Sequence, residues 1–350
     1  MNSYSRILQD LTERQFAEFD RKRRKRFERI TTREAMAAHV AACRRTLKQL
    51  YHLPKKTTPL NTRVTGEIKH PDYRIEKLVF ESRPGFLVTA NLYVPKGKGP
   101  FPCVLGACGH SNEGKAAQPY QSFGAGFALK GFMTLIFDPI GQGERRQYLQ
   151  YKDVMPGCVE EHITMGNQQY LFDDFFGSWR AWDGVRALDA LLERPEADPS
   201  RVGMTGNSGG GTMTTAVAAV EDRLTMIAPS CYVTTFRHNL ENELPADTEQ
   251  CLPGIIAAGY EEYDHLTAAA PRPVLLSTAE DDFFDQRGSQ EAFRHLKQVY
   301  TLFGRPDDVA IVTGPGGHGF SKTLREAVYG FFSKPKTSAL FTQKSLKCSK

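Results

Sequence analysis

The sequence predicts an α/β fold: a doubly wound, mostly parallel sheet preceded by an antiparallel hairpin. Three observations carry that prediction. From residue 101 onward, short apolar runs alternate with stretches of helical periodicity, the pattern of repeated β-α units. Runs such as Phe132-Met133-Thr134-Leu135-Ile136-Phe137 are almost wholly apolar, as expected of parallel strands covered on both faces. Two earlier runs, 75–81 and 86–94, flank Arg83-Pro84-Gly85 and read as a hairpin.

The elements follow in chain order. Residues 1–60 read as a helical extension. Thr31-Thr32-Arg33-Glu34 forms a capping box, with hydroxyl and carboxylate three apart. Met36, Val40, Cys43, Leu47 and Leu50 then recur at steps of four and three, one apolar stripe packed on the body of the protein. Residues 55–72, rich in Pro, Thr and Lys, read as a connecting loop. Strands are expected at 102–107, 132–137, 202–206, 225–231, 273–278 and 309–313. Helices are expected near 119–130, 179–193, 209–220, 288–303 and 321–333. The main domain spans 61–335, with insertions near 139–178 and 232–270 that are too long for simple loops. Long insertions at the carboxyl ends of strands build lids or substrate pockets. The first carries Tyr148, Tyr151, Gln168, Gln169, Tyr170, Phe172, Phe175 and Phe176, which suit core packing as well as ligand contact. Residues 336–350 form a lysine-bearing tail.

Composition narrows the classes. A chain of 350 residues, 40% hydrophobic and 24% charged, suits one large globular domain with an extra segment. The net charge of +5 is mild, and part of it sits in Arg21-Lys22-Arg23-Arg24-Lys25-Arg26, with Arg29 following. Such a run can hold nucleic acid or anionic lipid in a salt-dependent way. A solvated helix face or flexible arm is the simpler reading, because no zinc, RNA-binding or helix-turn-helix motif accompanies it. No nucleic-acid partner is expected. Seven scattered cysteines without a C-x-x-C pair suggest buried thiols rather than a disulfide framework. The first 30 residues lack the apolar core of a secretory signal, and no 18-residue apolar run occurs. The chain as it stands is therefore expected in the cytoplasm with no membrane span, or exported if a signal has been removed.

The chemistry concentrates in Val202-Gly203-Met204-Thr205-Gly206-Asn207-Ser208-Gly209-Gly210-Gly211-Thr212. A short apolar strand leads to a tight turn carrying one serine, then to a helix opening on glycines. Residues 206–210 fit G-x-S-x-G, and the strand-turn-helix context is what turns that weak pattern into a nucleophile elbow. A serine needs a base in reach, and the base needs an orienting acid. In doubly wound hydrolases the acid comes next in the chain and the histidine last. His318 lies in Gly314-Pro315-Gly316-Gly317-His318-Gly319-Phe320, after the last strand. The acid falls within Glu280-Asp281-Asp282-Phe283-Phe284-Asp285. Asp282 stands three positions beyond the small Ala279 and is preferred; Asp281 is the alternative. Oxyanion donors are expected from the Gly209 N–H and from a backbone N–H near His110 or Ser111, in Gly106-Ala107-Cys108-Gly109-His110-Ser111-Asn112-Glu113-Gly114-Lys115. The His110 side chain could touch substrate or be a turn residue. Asp138-Pro139-Ile140-Gly141-Gln142-Gly143-Glu144-Arg145 is expected to shape the site floor. Gly141-x-Gly143 lacks the third glycine of a dinucleotide site. With no H-E-x-x-H, P-loop, EF-hand or metal-spaced His/Cys cluster, neither metal nor cofactor is expected.

These motifs resemble the α/β-hydrolase superfamily, and within it bacterial acetyl xylan esterase-like proteins, neighbours of the glucuronoyl esterases. The resemblance covers about 70–335. It rests on Gly-Asn-Ser-Gly-Gly-Gly-Thr at the elbow, Asp-Pro-x-Gly-Gln-Gly-Glu-Arg, the late Gly-Gly-His-Gly, Trp182-Asp183-x-x-Arg186-Ala187-Leu188-Asp189 and Ala270-Pro271-Arg272-Pro273. Asp282-Phe283-Phe284 resembles that group's acid loop. The resemblance implies a serine esterase acting on a small-molecule or oligosaccharide ester. Its rivals are a peptidase on the same fold and a catalytically silent binding protein that keeps the scaffold.

Overall fold

The computed structural model describes residues 6–242, 244 and 246–334; the expected tail at 336–350 lies outside them. Among the described residues nine strands form one sheet: β1 (Arg63–Lys69), β2 (Tyr73–Arg83), β3 (Phe86–Pro95), β4 (Phe101–Ala107), β5 (Met133–Phe137), β6 (Ala197–Asn207), β7 (Met226–Ser230), β8 (Val274–Asp281) and β9 (Val309–Gly317). Their order is β1-β2-β3-β5-β4-β6-β7-β8-β9. The pairings β1–β2, β2–β3 and β3–β5 are antiparallel, and those from β5 through β9 are parallel. The doubly wound sheet with its leading hairpin is therefore the fold.

Ten α-helices surround it among the described residues: α1 (Ile7–Glu28), α2 (Arg33–Tyr51), α3 (Gln118–Leu129), α4 (Cys158–Tyr170), α5 (Phe176–Leu192), α6 (Gly209–Val220), α7 (Phe236–Glu241), α8 (Asp264–Ala269), α9 (Gln286–Leu302) and α10 (Lys322–Phe332). Alternation along the strands feeds two cores. In β4, Cys103, Leu105 and Ala107 join one core with α5, α6 and α9, while Val104 joins the other with α3 and α10. Each large side chain fully withdrawn from water contributes about 1.5–3 kcal/mol, so packing on both faces holds the central strands in place.

Several expectations shift. The loop at 55–72 contains β1. Its Val64 and Ile68 stay exposed, because an edge strand with open faces has no apolar alternation to betray it. The N-cap of α2 is Thr32, whose hydroxyl accepts from the Ala35 N–H at 3.2 Å, one residue later than a Thr31–Glu34 box requires. The basic run is a continuous part of α1 rather than a flexible arm. Arg23 is buried on Tyr263 and Asp20, Arg24 reaches Asp20 and Glu291, and Arg26 donates to the Gly259 carbonyl. The insertions hold α4, α7 and α8. Strands β8 and β9 run further than the apolar pattern, to Asp281 paired with Gly317. That register sets the next residues, Asp282 and His318, side by side.

Candidate active site

Ser208 sits between β6 and α6 with φ 59° and ψ −123°, a backbone region that L-residues avoid and that costs on the order of 1–3 kcal/mol. Crowding explains the glycines on either side. A Cβ on Gly206 would lie 2.5 Å from the Ala107 carbonyl oxygen, and one on Gly210 only 2.2 Å from it. The Ser208 N–H donates to the Ser230 carbonyl at 2.9 Å, which pins the turn to the end of β7. Its hydroxyl makes no hydrogen bond among the described residues and is half-buried.

His318 Nδ1 donates to Asp282 Oδ1 at 2.8 Å, and the Asp282 side chain is 1% exposed. The Phe284 N–H donates to the same oxygen at 3.0 Å. The Phe283 ring lies on the imidazole with centroids 4.1 Å apart. Asp281 is exposed at the end of β8. Cys231, directly after Ser230, fills the space between this pair and the elbow. Its Sγ lies 3.5 Å from the Gly319 carbonyl oxygen, and burial with the nearby Asp282 charge pushes its thiol up to about 12.

The loop after β4 lies across the elbow. The Gly109 N–H is taken by the Tyr120 hydroxyl at 2.5 Å. The buried Gln142 amide donates to the Gly109 carbonyl at 2.8 Å and the Ser111 carbonyl at 3.1 Å. Asp138 accepts from the Lys115 N–H at 2.8 Å and from Thr89 Oγ1 at 2.6 Å. The 138–145 segment thus anchors the loop from beneath. The N–H groups of Gly209, His110 and Ser111 have no acceptor among the described residues. The Ser111 hydroxyl turns outward to Glu113 at 2.8 Å.

A second group of side chains, absent from the sequence reading, meets His110. Its Nε2 donates to Asp247 Oδ2 at 2.7 Å. The same oxygen lies 2.6 Å from His162 Nδ1, while His162 Nε2 faces the Ile140 carbonyl at 2.8 Å. Arg180 is ion-paired with Glu249, whose other oxygen is buried without a hydrogen bond. Burial would raise the Asp247 carboxyl, but the hydrogen bonds from His110 and His162 outweigh it and hold Asp247 far below the carboxylate range. Glu249 moves the other way, since burial exceeds the pull of Arg180. His110, His162 and Asp247 offer three ligand atoms within 4.8 Å of one another. Arg180 Nη1 lies 3.4 Å from His162 Nδ1, so a cation there would face a guanidinium, and the donors fit a hydrogen-bonded network instead. Cys231, Asp282 and His318 are grouped as closely, but His318 Nδ1 is already committed to Asp282. His162, Asp247, Glu249 and Arg180 come from α4, the second insertion and α5, with no shared spacing that could have announced them.

The sheet order and the serine at the end of β6 define an α/β-hydrolase. A family model for acetyl xylan esterases matches residues 49–249, and the chain belongs to that family; it is a carboxylic ester hydrolase. YtaP of Bacillus subtilis (strain 168), named as a hydrolase, is 25% identical over 270 residues, 73% of this chain and 84% of its own. The methylesterase BT1017 shares the fold with a TM-score of 0.75 and 22% identity, over 91% of this chain and 68% of that one. A glucuronoyl esterase from Solibacter usitatus aligns with a TM-score of 0.61 and 16% identity, over 83% and 91%. An acetyl xylan esterase from Paenibacillus sp. R4 gives 0.55 and 21%, over 83% and 92%. Among the described residues no helix is long and apolar enough to cross a membrane.

Proposed function

We propose that the protein hydrolyses a carbohydrate ester through Ser208, His318 and Asp282. The observation that carries this reading is a serine held in a strained turn at a helix N-terminus, together with a separate, buried Asp282–His318 hydrogen bond. Ser208 Oγ attacks the ester carbonyl and gives its proton to His318 Nε2. The imidazole passes that proton to the departing alkoxide, and water then repeats the sequence on the acyl-enzyme. Asp282 fixes the imidazole tautomer and steadies its charge. The serine–histidine contact closes with the ester in the cleft, as catalytic hydrogen bonds tighten in the substrate complex. The free N–H groups of Gly209 and His110 take the oxyanion, aided by the positive end of α6.

The carbohydrate side rests on the family and on a cavity of about 240 Å³ along the first insertion, where Phe86, Phe172 and Trp179 stand among Gln147, Gln168 and Gln169. Aromatic faces suit the C–H faces of a sugar ring, and amides both donate to and accept from hydroxyls. Among its neighbours in fold, named for acetyl, methyl and glucuronoyl esters, an acetyl or methyl ester of a sugar is the substrate we assign. Ser208→Ala tests the mechanism. It should lose about 10⁶-fold in kcat and escape labelling by a fluorophosphonate. Retained ester turnover in that variant overturns the reading. A panel of acetyl, methyl-uronate, feruloyl and glucuronoyl esters then ranks the substrates.

A further inference from the structure

We infer that His110 is a second catalytic imidazole, whose side chain, set by Asp247, donates to the reacting carbonyl oxygen alongside the backbone N–H groups. This rests on the Ser208 reading above and extends it from the loop backbone to a side chain.

Position comes first. A Cβ placed on Gly209 would lie 2.8 Å from Glu249 Oε1, 2.9 Å from His110 Cε1 and 3.0 Å from its Nδ1. The ring therefore rests on the residue whose N–H is the first oxyanion donor. Orientation follows from the partners. Nε2 is spent on Asp247, so the Nδ1 edge faces away from the acid. Nδ1 has no hydrogen bond among the described residues, and the side chain is 19% exposed, which keeps it open to the cleft. The ring is locked from behind by His162 at 5.2 Å between centroids, itself against Phe176 at 5.0 Å.

Charge supports the same role. The groups facing the ring are Asp247 and Glu249 from the second insertion, His162 from α4, Arg180 from α5 and the positive N-terminus of α6. Burial and Arg180 oppose the charged imidazole. The hydrogen bond to Asp247 and the Glu249 carboxylate at 3.5 Å prevail, and His110 titrates above the ordinary histidine value. The charged imidazole carries its second proton on Nδ1, the edge turned away from Asp247. No bond is made or broken at His110: the proton stays on Nδ1, and its hydrogen bond strengthens as the carbonyl oxygen gains negative charge. In this reading two histidine–aspartate pairs serve Ser208, one handling the proton and the other the oxyanion.

The test is His110→Gln, with Asp247→Asn beside it, checked for folding by near-UV circular dichroism. Steady-state rates on an acetyl ester are followed from neutral to alkaline pH, with Ser208→Ala as control. His110→Gln should lose on the order of 10²-fold in kcat with KM little changed. The wild-type rate should fall as pH rises through the His110 titration; that fall should vanish in His110→Gln and move to lower pH in Asp247→Asn. A purely structural role would lower kcat or folded yield without removing the alkaline limb. Wild-type kcat in His110→Gln, or an alkaline limb that persists in it, overturns the inference while the nucleophile assignment stands. Ester turnover by Ser208→Ala overturns both.

Discussion

Two histidine–aspartate pairs of different construction, His318–Asp282 and His110–Asp247, belong to the proposed site. His318 and Asp282 leave adjacent strands at the last register pair of β8 and β9, and the sheet itself aligns them. His110 and Asp247 meet through a loop and an insertion, and four further polar groups are needed to hold them: His162, Arg180, Glu249 and the Ile140 carbonyl. The first pair is a by-product of the fold. The second is an assembly stacked on top of it, with buried charges whose balance depends on every member. The comparison teaches that the pair proposed to handle the proton is placed by backbone topology, and the pair proposed beside the oxyanion by side chains that the insertions bring.

The largest effect should come from the pair that the sheet places. Asp282→Asn keeps the shape but presents the wrong partner to His318 Nδ1. Loss of the correct tautomer in such a triad costs about 10⁴-fold in kcat. Folding should weaken only slightly, because an amide nitrogen turned to His318 costs the Phe284 N–H one acceptor. A loss below tenfold would break the comparison by making Asp282 dispensable. Asp281→Asn, at an exposed position, is the paired control and should leave kcat near wild type.

The second pair should fail differently, through stability. Arg180 is 2% exposed and faces Glu249 at the same depth. Removing one member of a buried ion pair strands the other and costs about 3–5 kcal/mol. Arg180→Met should lower the denaturant midpoint accordingly, and Arg180→Met with Glu249→Leu should recover part of it, since an apolar replacement of both strands nothing. Equal losses in the single and double variants would show that the pair does not act as a unit.

This contrast also explains what was legible in the sequence. Ser208, Asp282 and His318 each sit just past a strand, and their local chemistry is written in neighbours: glycines around the serine, paired phenylalanines after the acid, glycines around the histidine. Gln142 was visible as part of a motif, though not as the amide that holds the Gly109 and Ser111 carbonyls. Asp247 and Glu249 lie in a stretch with neither helical nor strand period, and His162 in a helix whose polar face gives no hint of burial. Their meeting is a property of tertiary contact alone. The edge strand β1 was hidden for the opposite reason, since it buries too little to leave a pattern.

The smallest effect separates the pairs by pH. His110 has a raised folded-state pKa, so its interaction with Asp247 contributes stability that is complete below the unfolded histidine value and is lost as pH rises through the folded one. Asp247 is depressed, so its contribution is present above the unfolded carboxylate value and fades as pH falls through the folded one. Wild type should therefore exceed His110→Gln in Tm by most between those limits, in mildly acidic solution. The gap should narrow as pH rises past neutrality, because only the wild type then loses a charged imidazole. A Tm gap between wild type and His110→Gln that stays constant from mildly acidic to alkaline pH would show that Asp247 holds His110 by shape alone. The two pairs would then differ in architecture but not in charge.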